Sequence, residues 1–167
     1  MKKTSIIIGA VLLSLNAWAQ MPNPYGPSIT LDHARKIAAA ASAEAKKNGW
    51  NVAVAIVDTA GELVYFEKND NTQVSSVKTS QEKARTAARF KRPTKLMEEA
   101  IAGGRVALLA LPDATPIEGG LPLLIDGKIV GAVGVSGATS PQDGQCAQAG
   151  VDTLPKAPAP AAPPAKK

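Results

Sequence analysis

The sequence predicts an α+β domain in which a five-stranded antiparallel sheet is flanked by helices. Three observations lead there. Two pairs of apolar runs are joined by tight-turn dipeptides, Ala60-Gly61 and Asp126-Gly127, where glycine accepts positive φ without steric cost. Four other stretches carry apolar residues at helical spacing, with polar caps before them. Hairpin partners pair antiparallel, so the economical arrangement is one sheet with helices packed on it.

Taken in order, residues 1–19 read as a secretory signal: basic Lys2 and Lys3, an apolar run from Ile6 to Leu15, and Ala17-Trp18-Ala19 as the cleavage site before Gln20. That run is short of the roughly 20 residues a membrane span needs. The mature chain is therefore expected to be periplasmic or secreted, with no membrane span once the signal is removed. Residues 20–29 are a proline-rich lead-in. Thr30 is an N-cap, and the first helix runs from Leu31 to Asn48, its Ala34, Ile37, Ala38, Ala41 and Ala45 on one face and Gly49 at its end.

Asn51–Thr59 is nearly all apolar, as a strand covered on both faces should be. It turns at Ala60-Gly61 into a second strand, Glu62–Lys68, in which Tyr65 and Phe66 face opposite ways, so one of the two should be buried. A second helix runs from Ser75 or Ser76 to Phe90. Pro93 ends that stretch and opens a third helix, Thr94–Ala102, closed by Gly103-Gly104. Arg105–Leu111 is a short apolar strand, the third of the five. Leu121–Ile125 and Ile129–Val135 form the second hairpin around Asp126-Gly127, and Ser140 caps a last helix from Pro141 to Leu154. The body of the chain is one domain, residues 30–154. Residues 155–167 are a Pro/Ala tail, expected to be disordered, that cannot form a helix or bury a core.

The charge balance excludes one class of partner. Of 19 basic residues two lie in the signal and three in the tail, which leaves 14 in the body against 14 acidic residues. The basic excess that would suggest nucleic acid belongs to the two ends. Cys146 is the only cysteine, so no intrachain disulfide exists, and it reads as a buried small hydrophobe.

The loop before the second hairpin, Thr115-Pro116-Ile117-Glu118-Gly119-Gly120-Leu121-Pro122, is bent by its prolines and glycines and offers backbone amides with little side-chain cover. Gly131, Gly134 and Gly137 leave bare patches on the following strand where a backbone, a helix or a flat ligand could approach.

Six segments in order resemble one family: V-A-I-V-D-T-A-G-E-L-V-Y-F (54–66), K-A-R-T-A (83–87), R-P-T-K (92–95), G-G-L-P (119–122), V-G-A-V-G-V-S-G (130–137) and Q-D-x-x-x-A-x-A-G (142–150). Together they resemble the GlcG/HbpS-type haem-binding protein family, also described as haem-degrading. The resemblance implies a single domain of profilin-like or PAS-like shape, assembly into dimers or larger rings, and haem as the cofactor.

For such a ligand the candidate contacts are His33, Lys83, Arg85, Thr115, Glu118, Gly119, Gly120 and Leu121. His33, the only histidine, is the candidate iron ligand, because neutral imidazole is a common partner of haem iron. Met97, Cys146, Tyr25, Tyr65 and an oxygen from the loop around Thr115 are its alternatives, Met97 reading mainly as core. The basic cluster Lys78, Lys83, Arg85, Arg89, Lys91, Arg92 and Lys95 is a solvated face or a carboxylate anchor. A P-loop, a G-x-S-x-G elbow and a correctly placed G-x-G-x-x-G are all lacking in the sequence, and no catalytic residue is nominated. The expectation is an exported, oligomeric haem or tetrapyrrole binder in haem sensing, storage or handling. The alternatives are a protein acting on a small organic acid through Lys83, Arg85 and Glu118, and a purely structural oligomer.

Overall fold

The computed structural model describes residues 23–155; the expected signal and the Pro/Ala segment after Pro155 lie outside them. The elements run α1 (Leu31–Lys47), β1 (Ala53–Val57), β2 (Leu63–Lys68), α2 (Ser76–Phe90), α3 (Thr94–Ala102), a 3₁₀ turn (Val106–Ala110), β3 (Gly120–Ile125), β4 (Lys128–Ser136) and α4 (Ser140–Val151). The four strands pair antiparallel in the order β2-β1-β4-β3, and Tyr25 of the lead-in adds a single parallel bridge to Ile129.

The sheet has four strands, not five. Val106–Ala110, expected as a strand, is a 3₁₀ helix, held by local bonds from Leu108 N to Arg105 O and from Leu111 N to Leu108 O. Its composition is strand-like, but Val106 and Leu109 are 63% and 64% exposed. An apolar run becomes a strand only where a partner edge receives its N–H and C=O groups, and this one closes its own bonds locally instead.

Alternation along β1 sorts the core into two layers. Val54 and Ile56 join Ile37, Ala41, Val133, Val135, Cys146 and Ala147 under α1 and α4. Ala55 and Val57 face the other way, with Ala84, Ala87, Ala88 and Ala132 under α2. The α2 side is built of small residues so that the helix backbone can lie close to the sheet. At Gly134 an added Cβ would overlap the Ser80 carbonyl oxygen of α2. Gly131 and Gly137 are closed in the same way by the carbonyls of Val57 and Asn51. The three bare patches of β4 are thus filled by the molecule's own backbone and leave no room there for a flat ligand.

Tyr65 and Phe66 are both half-buried, one packed on each core layer, because β2 is an edge strand whose two faces are each partly covered. The caps follow local chemistry. Thr30 is extended and accepts the His33 N–H. At α4 the cap is Thr139 and not Ser140: the Thr139 N–H donates to the Gln142 side chain at 3.1 Å, a capping-box contact one residue earlier than the sequence suggests. At the second hairpin Asp126 and Gly127 take φ of 50° and 71°, the pair of positive values a type I′ turn requires.

The lead-in is tied down on both sides. Ile129 N bonds Pro24 O and Gly26 N bonds Ile129 O, which extends the β4 edge beyond the end of β1. The Tyr25 hydroxyl donates to Ala88 O at the end of α2, with the Lys91 ammonium 4.5 Å above its ring.

Candidate functional site

Among the described residues, two clefts flank this framework. The first, about 390 Å³, lies where the Glu118–Leu121 segment passes between the start of α3 and the face of α4. Pro93, Leu96 and Leu121 give it apolar walls, Gly119, Gly120 and Gly144 a floor without side chains, and Lys95 and Glu118 its charge. Lys95 Nζ stands 3.2 Å from Glu118 Oε1. Glu118 is fixed twice more: its N–H donates to Glu98 Oε2 at 2.5 Å, and its carboxylate fills the space a Cβ on Gly144 would need. A glycine inside a helix costs about 1 kcal/mol against alanine, and here the recess it leaves receives Glu118.

Beneath that floor lies a buried ion pair. Lys83 Nζ is 2.8 Å from Asp143 Oδ2 and 3.1 Å from the Val135 carbonyl, while Asp143 Oδ1 accepts the Ala138 N–H at 3.0 Å. Burial pushes the Asp143 carboxyl above its ordinary range, against the pull of Lys83 and of the Ala138 and Gly137 N–H groups. The loop above is fitted to the pair. Gly119 has φ of 128°, and a Cβ there would stand 2.6 Å from Val135 O and 2.9 Å from Lys83 Nζ. Thr94 Oγ1 accepts the Gly120 N–H at 2.9 Å.

The second cleft, about 330 Å³, lies at the start of α1 and is lined by Pro27, Ser28, Ile29, Thr30, His33, Ile125, Asp126, Lys128 and Val130. Pro27, Ile29, Ile125 and Val130 give it apolar walls, Asp126 and Lys128 bring charge of both signs, and His33 lines it from the first turn of the helix. His33 Nδ1 is 3.2 Å from Thr30 Oγ1. Nε2 is the ring nitrogen without a protein partner among the described residues.

The eight residues nominated from the sequence therefore do not form one site. Glu118, Gly119, Gly120 and Leu121 share the first cleft, whereas His33 lines the second. Lys83 is buried with Asp143 below the first floor. Arg85 turns to the β1–β2 turn, where its Nε donates to Gly61 O and its NH1 pairs with Glu82 at 2.8 Å. The Thr115 N–H donates to Thr86 Oγ1, which anchors the loop to α2. Most of the basic cluster is committed elsewhere: Arg89 reaches Ala60 O, Glu62 and Asp113, Lys91 covers Tyr25, and Arg92 bonds Phe90 O.

Of the alternative iron ligands, Met97, Cys146, Tyr25 and Tyr65 line neither cleft, while the loop that follows Thr115 reaches the first through Glu118. Met97 and Cys146 are buried in the core, Tyr25 is bound to α2, and the Tyr65 hydroxyl donates to Glu67. The residues that sequence reasoning passed over are Asp143, Gly144, Gln145 and Gln148 on α4, and Lys128 with its aliphatic neighbours around His33. One signal was present: Gly144 interrupts a helix at a position where nothing in the helix itself asks for glycine. The pairing of Lys83 with Asp143, 60 residues apart, had none.

The family model described as haem degrading protein HbpS-like matches residues 29–152. Protein GlcG of Escherichia coli K12 is 46% identical over 103 residues, 62% of this chain and 77% of that protein. Among solved structures, the protein ORFY of Klebsiella pneumoniae superposes with a TM-score of 0.71 at 31% identity, covering 78% of this chain and 93% of its own. A double mutant of Streptomyces reticuli HbpS gives 0.73 at 28% identity over 93% of this chain and 99% of its own.

Proposed function

The chain belongs to the HbpS-like family, and from that premise we propose that it is an exported haem-binding protein that works as an oligomer and holds the haem iron through His33. The observation that carries this reading is the second cleft, where an imidazole with a partner on Nδ1 and a bare Nε2 lines an aliphatic recess beside a lysine.

Those residues fit the group. A haem pocket needs an axial donor, apolar walls for the macrocycle and a cation for its propionates. His33, the set Ile29, Ile125 and Val130, and Lys128 supply all three. The first cleft has apolar walls but no histidine, cysteine, methionine or tyrosine among its lining residues. Bound haem would supply the iron and its redox chemistry. The chain's own part is to offer the imidazole, exclude water from one face and neutralise the propionates. At about 330 Å³ and open on one side, the recess takes an edge of the macrocycle, and the exposed remainder is what a second copy would cover.

Titration of the purified protein with hemin tests the reading. A saturable Soret shift at one equivalent per chain, lost in His33→Ala, is the expected result. Absence of saturable binding removes haem, and an unchanged His33→Ala spectrum removes the iron assignment. A monomer by light scattering at micromolar concentration removes the oligomer.

A further inference from the structure

Thr30 is the N-cap of α1, a task that serine, asparagine or aspartate performs equally well. Its hydroxyl oxygen also lies 3.2 Å from His33 Nδ1 while accepting the His33 backbone N–H at 3.4 Å. Two arrangements satisfy these distances. Either the ring donates Nδ1–H to Oγ1, leaving a lone pair on Nε2, or the hydroxyl donates to Nδ1 and Nε2 carries the proton. Only the first leaves the cleft-facing histidine able to donate to a metal or to accept a hydrogen bond.

We propose that Thr30 is a positioning residue that fixes His33 as the Nδ1–H tautomer, and so presents the Nε2 lone pair to the cleft at the start of α1. This deepens the haem reading above and rests on it for the identity of the ligand, but the tautomer is a property of the chain alone. The physical basis is that of metal-bound histidines, where an oxygen acceptor on the far ring nitrogen sets the tautomer and the ring orientation. Here the acceptor belongs to the helix cap, three residues before the histidine. One oxygen thus starts the helix and meets the ring, and Ile29 and Val130, at 6% and 5% exposure, belong to the cleft wall beside it.

The test begins without any ligand. His33 is the only histidine, so its ring ¹⁵N resonances in the labelled full-length protein need no assignment. At a pH where the ring is neutral, wild-type protein is expected to show protonated Nδ1 and bare Nε2. Thr30→Val, checked for folding by far-ultraviolet circular dichroism, is expected to shift towards protonated Nε2, and Thr30→Ser to restore the wild-type pattern. A wild-type ring protonated at Nε2, or a Thr30→Val ring that stays protonated at Nδ1, overturns the proposal.

A second arm uses hemin as the probe. Thr30→Val is expected to bind about tenfold or more weakly and Thr30→Ser as wild type, the loss typical of a missing outer partner. Unchanged binding by Thr30→Val overturns the positioning role even if His33→Ala abolishes the Soret shift. If hemin fails to bind wild-type protein at all, the haem reading falls, while the ¹⁵N result still decides the role of Thr30.

Discussion

Lys83 Nζ lies 2.8 Å from Asp143 Oδ2, and both side chains are only 2% exposed. The contact joins α2 to the first turn of α4 directly beneath the Gly119 floor, and the Val135 carbonyl ties β4 into the same knot. Removing one partner of such a pair leaves an uncompensated charge in the interior, which typically costs about 3–5 kcal/mol. Lys83→Met should therefore lower the urea unfolding free energy by about that amount. The double variant Lys83→Met/Asp143→Leu, which removes both charges, should regain most of it. A double variant as unstable as the single one would show that packing, not charge, carries the effect.

The same pair predicts a pH dependence. Burial raises the Asp143 carboxyl and Lys83 is the first of the groups that oppose that rise, so Lys83→Met leaves only the Ala138 and Gly137 N–H groups against it and the carboxyl rises further. A carboxyl raised in the folded state takes up a proton that the unfolded chain does not, from the folded value down to the ordinary one. Within that window stability increases as pH falls, by up to about 1.4 kcal/mol per pH unit. Lys83→Met should thus recover stability relative to wild type as the pH is lowered from 7 towards the ordinary carboxylate value. Unfolding curves for the two proteins that stay parallel between pH 7 and 4 would contradict the assignment.

Two glycines separate rigid from yielding neighbours. At Gly134 a methyl group would strike the backbone of α2, which cannot move without leaving the sheet, so Gly134→Ala should cost about 3 kcal/mol or more. At Gly144 the methyl would meet the Glu118 side chain, its Cγ and carboxylate, which can swing away where a backbone cannot. Gly144→Ala gains about 1 kcal/mol of helix propensity and loses an ion pair with a half-exposed lysine worth no more than that. The expected net change is within about 1 kcal/mol of zero, with Glu118 displaced from the cleft. Thermal unfolding of the two variants gives the contrast directly.

What the sequence made legible was local. The Asp126-Gly127 turn, the Thr30 cap, the alanine face of α1 and the doubly covered strand β1 each depend on residues within a few positions of one another, and each is present. What escaped depends on distant partners. Val106–Ala110 has strand composition, yet its state turned on whether an edge was free to receive it. His33 and Gly119 read as one site because both carry ligand-type chemistry, but α1 begins beside the β3–β4 turn while Gly119 sits at the far end of β3. The bare glycines of β4 marked close approach correctly, and the approaching surface was the chain's own backbone.

Cys146 should be inert in the folded protein. It is fully buried, and burial with the nearby Asp143 and Glu44 carboxylates pushes its thiol up to about 11. At pH 8 the thiolate fraction is then roughly one in a thousand, and only the thiolate attacks a disulfide reagent. Labelling of the native protein at pH 8 should proceed only through opening of the fold, and should become fast on adding denaturant. Rapid native labelling would place the α4 core face in solvent.

The 3₁₀ turn offers the sharpest check on the four-stranded sheet. Val106 and Leu109 are exposed and belong to neither core layer. Replacing either by glutamate removes little buried apolar area and strands no charge, so each change should stay within about 0.5 kcal/mol. Were the segment a fifth strand packed on the sheet, a buried glutamate would cost several times more, because an unpaired carboxylate would have to leave water. Val106→Glu and Leu109→Glu unfolding near the wild-type midpoint is the expected result. A loss of more than about 2 kcal/mol in both would return the segment to the core, since only burial makes an apolar-to-charged change so costly.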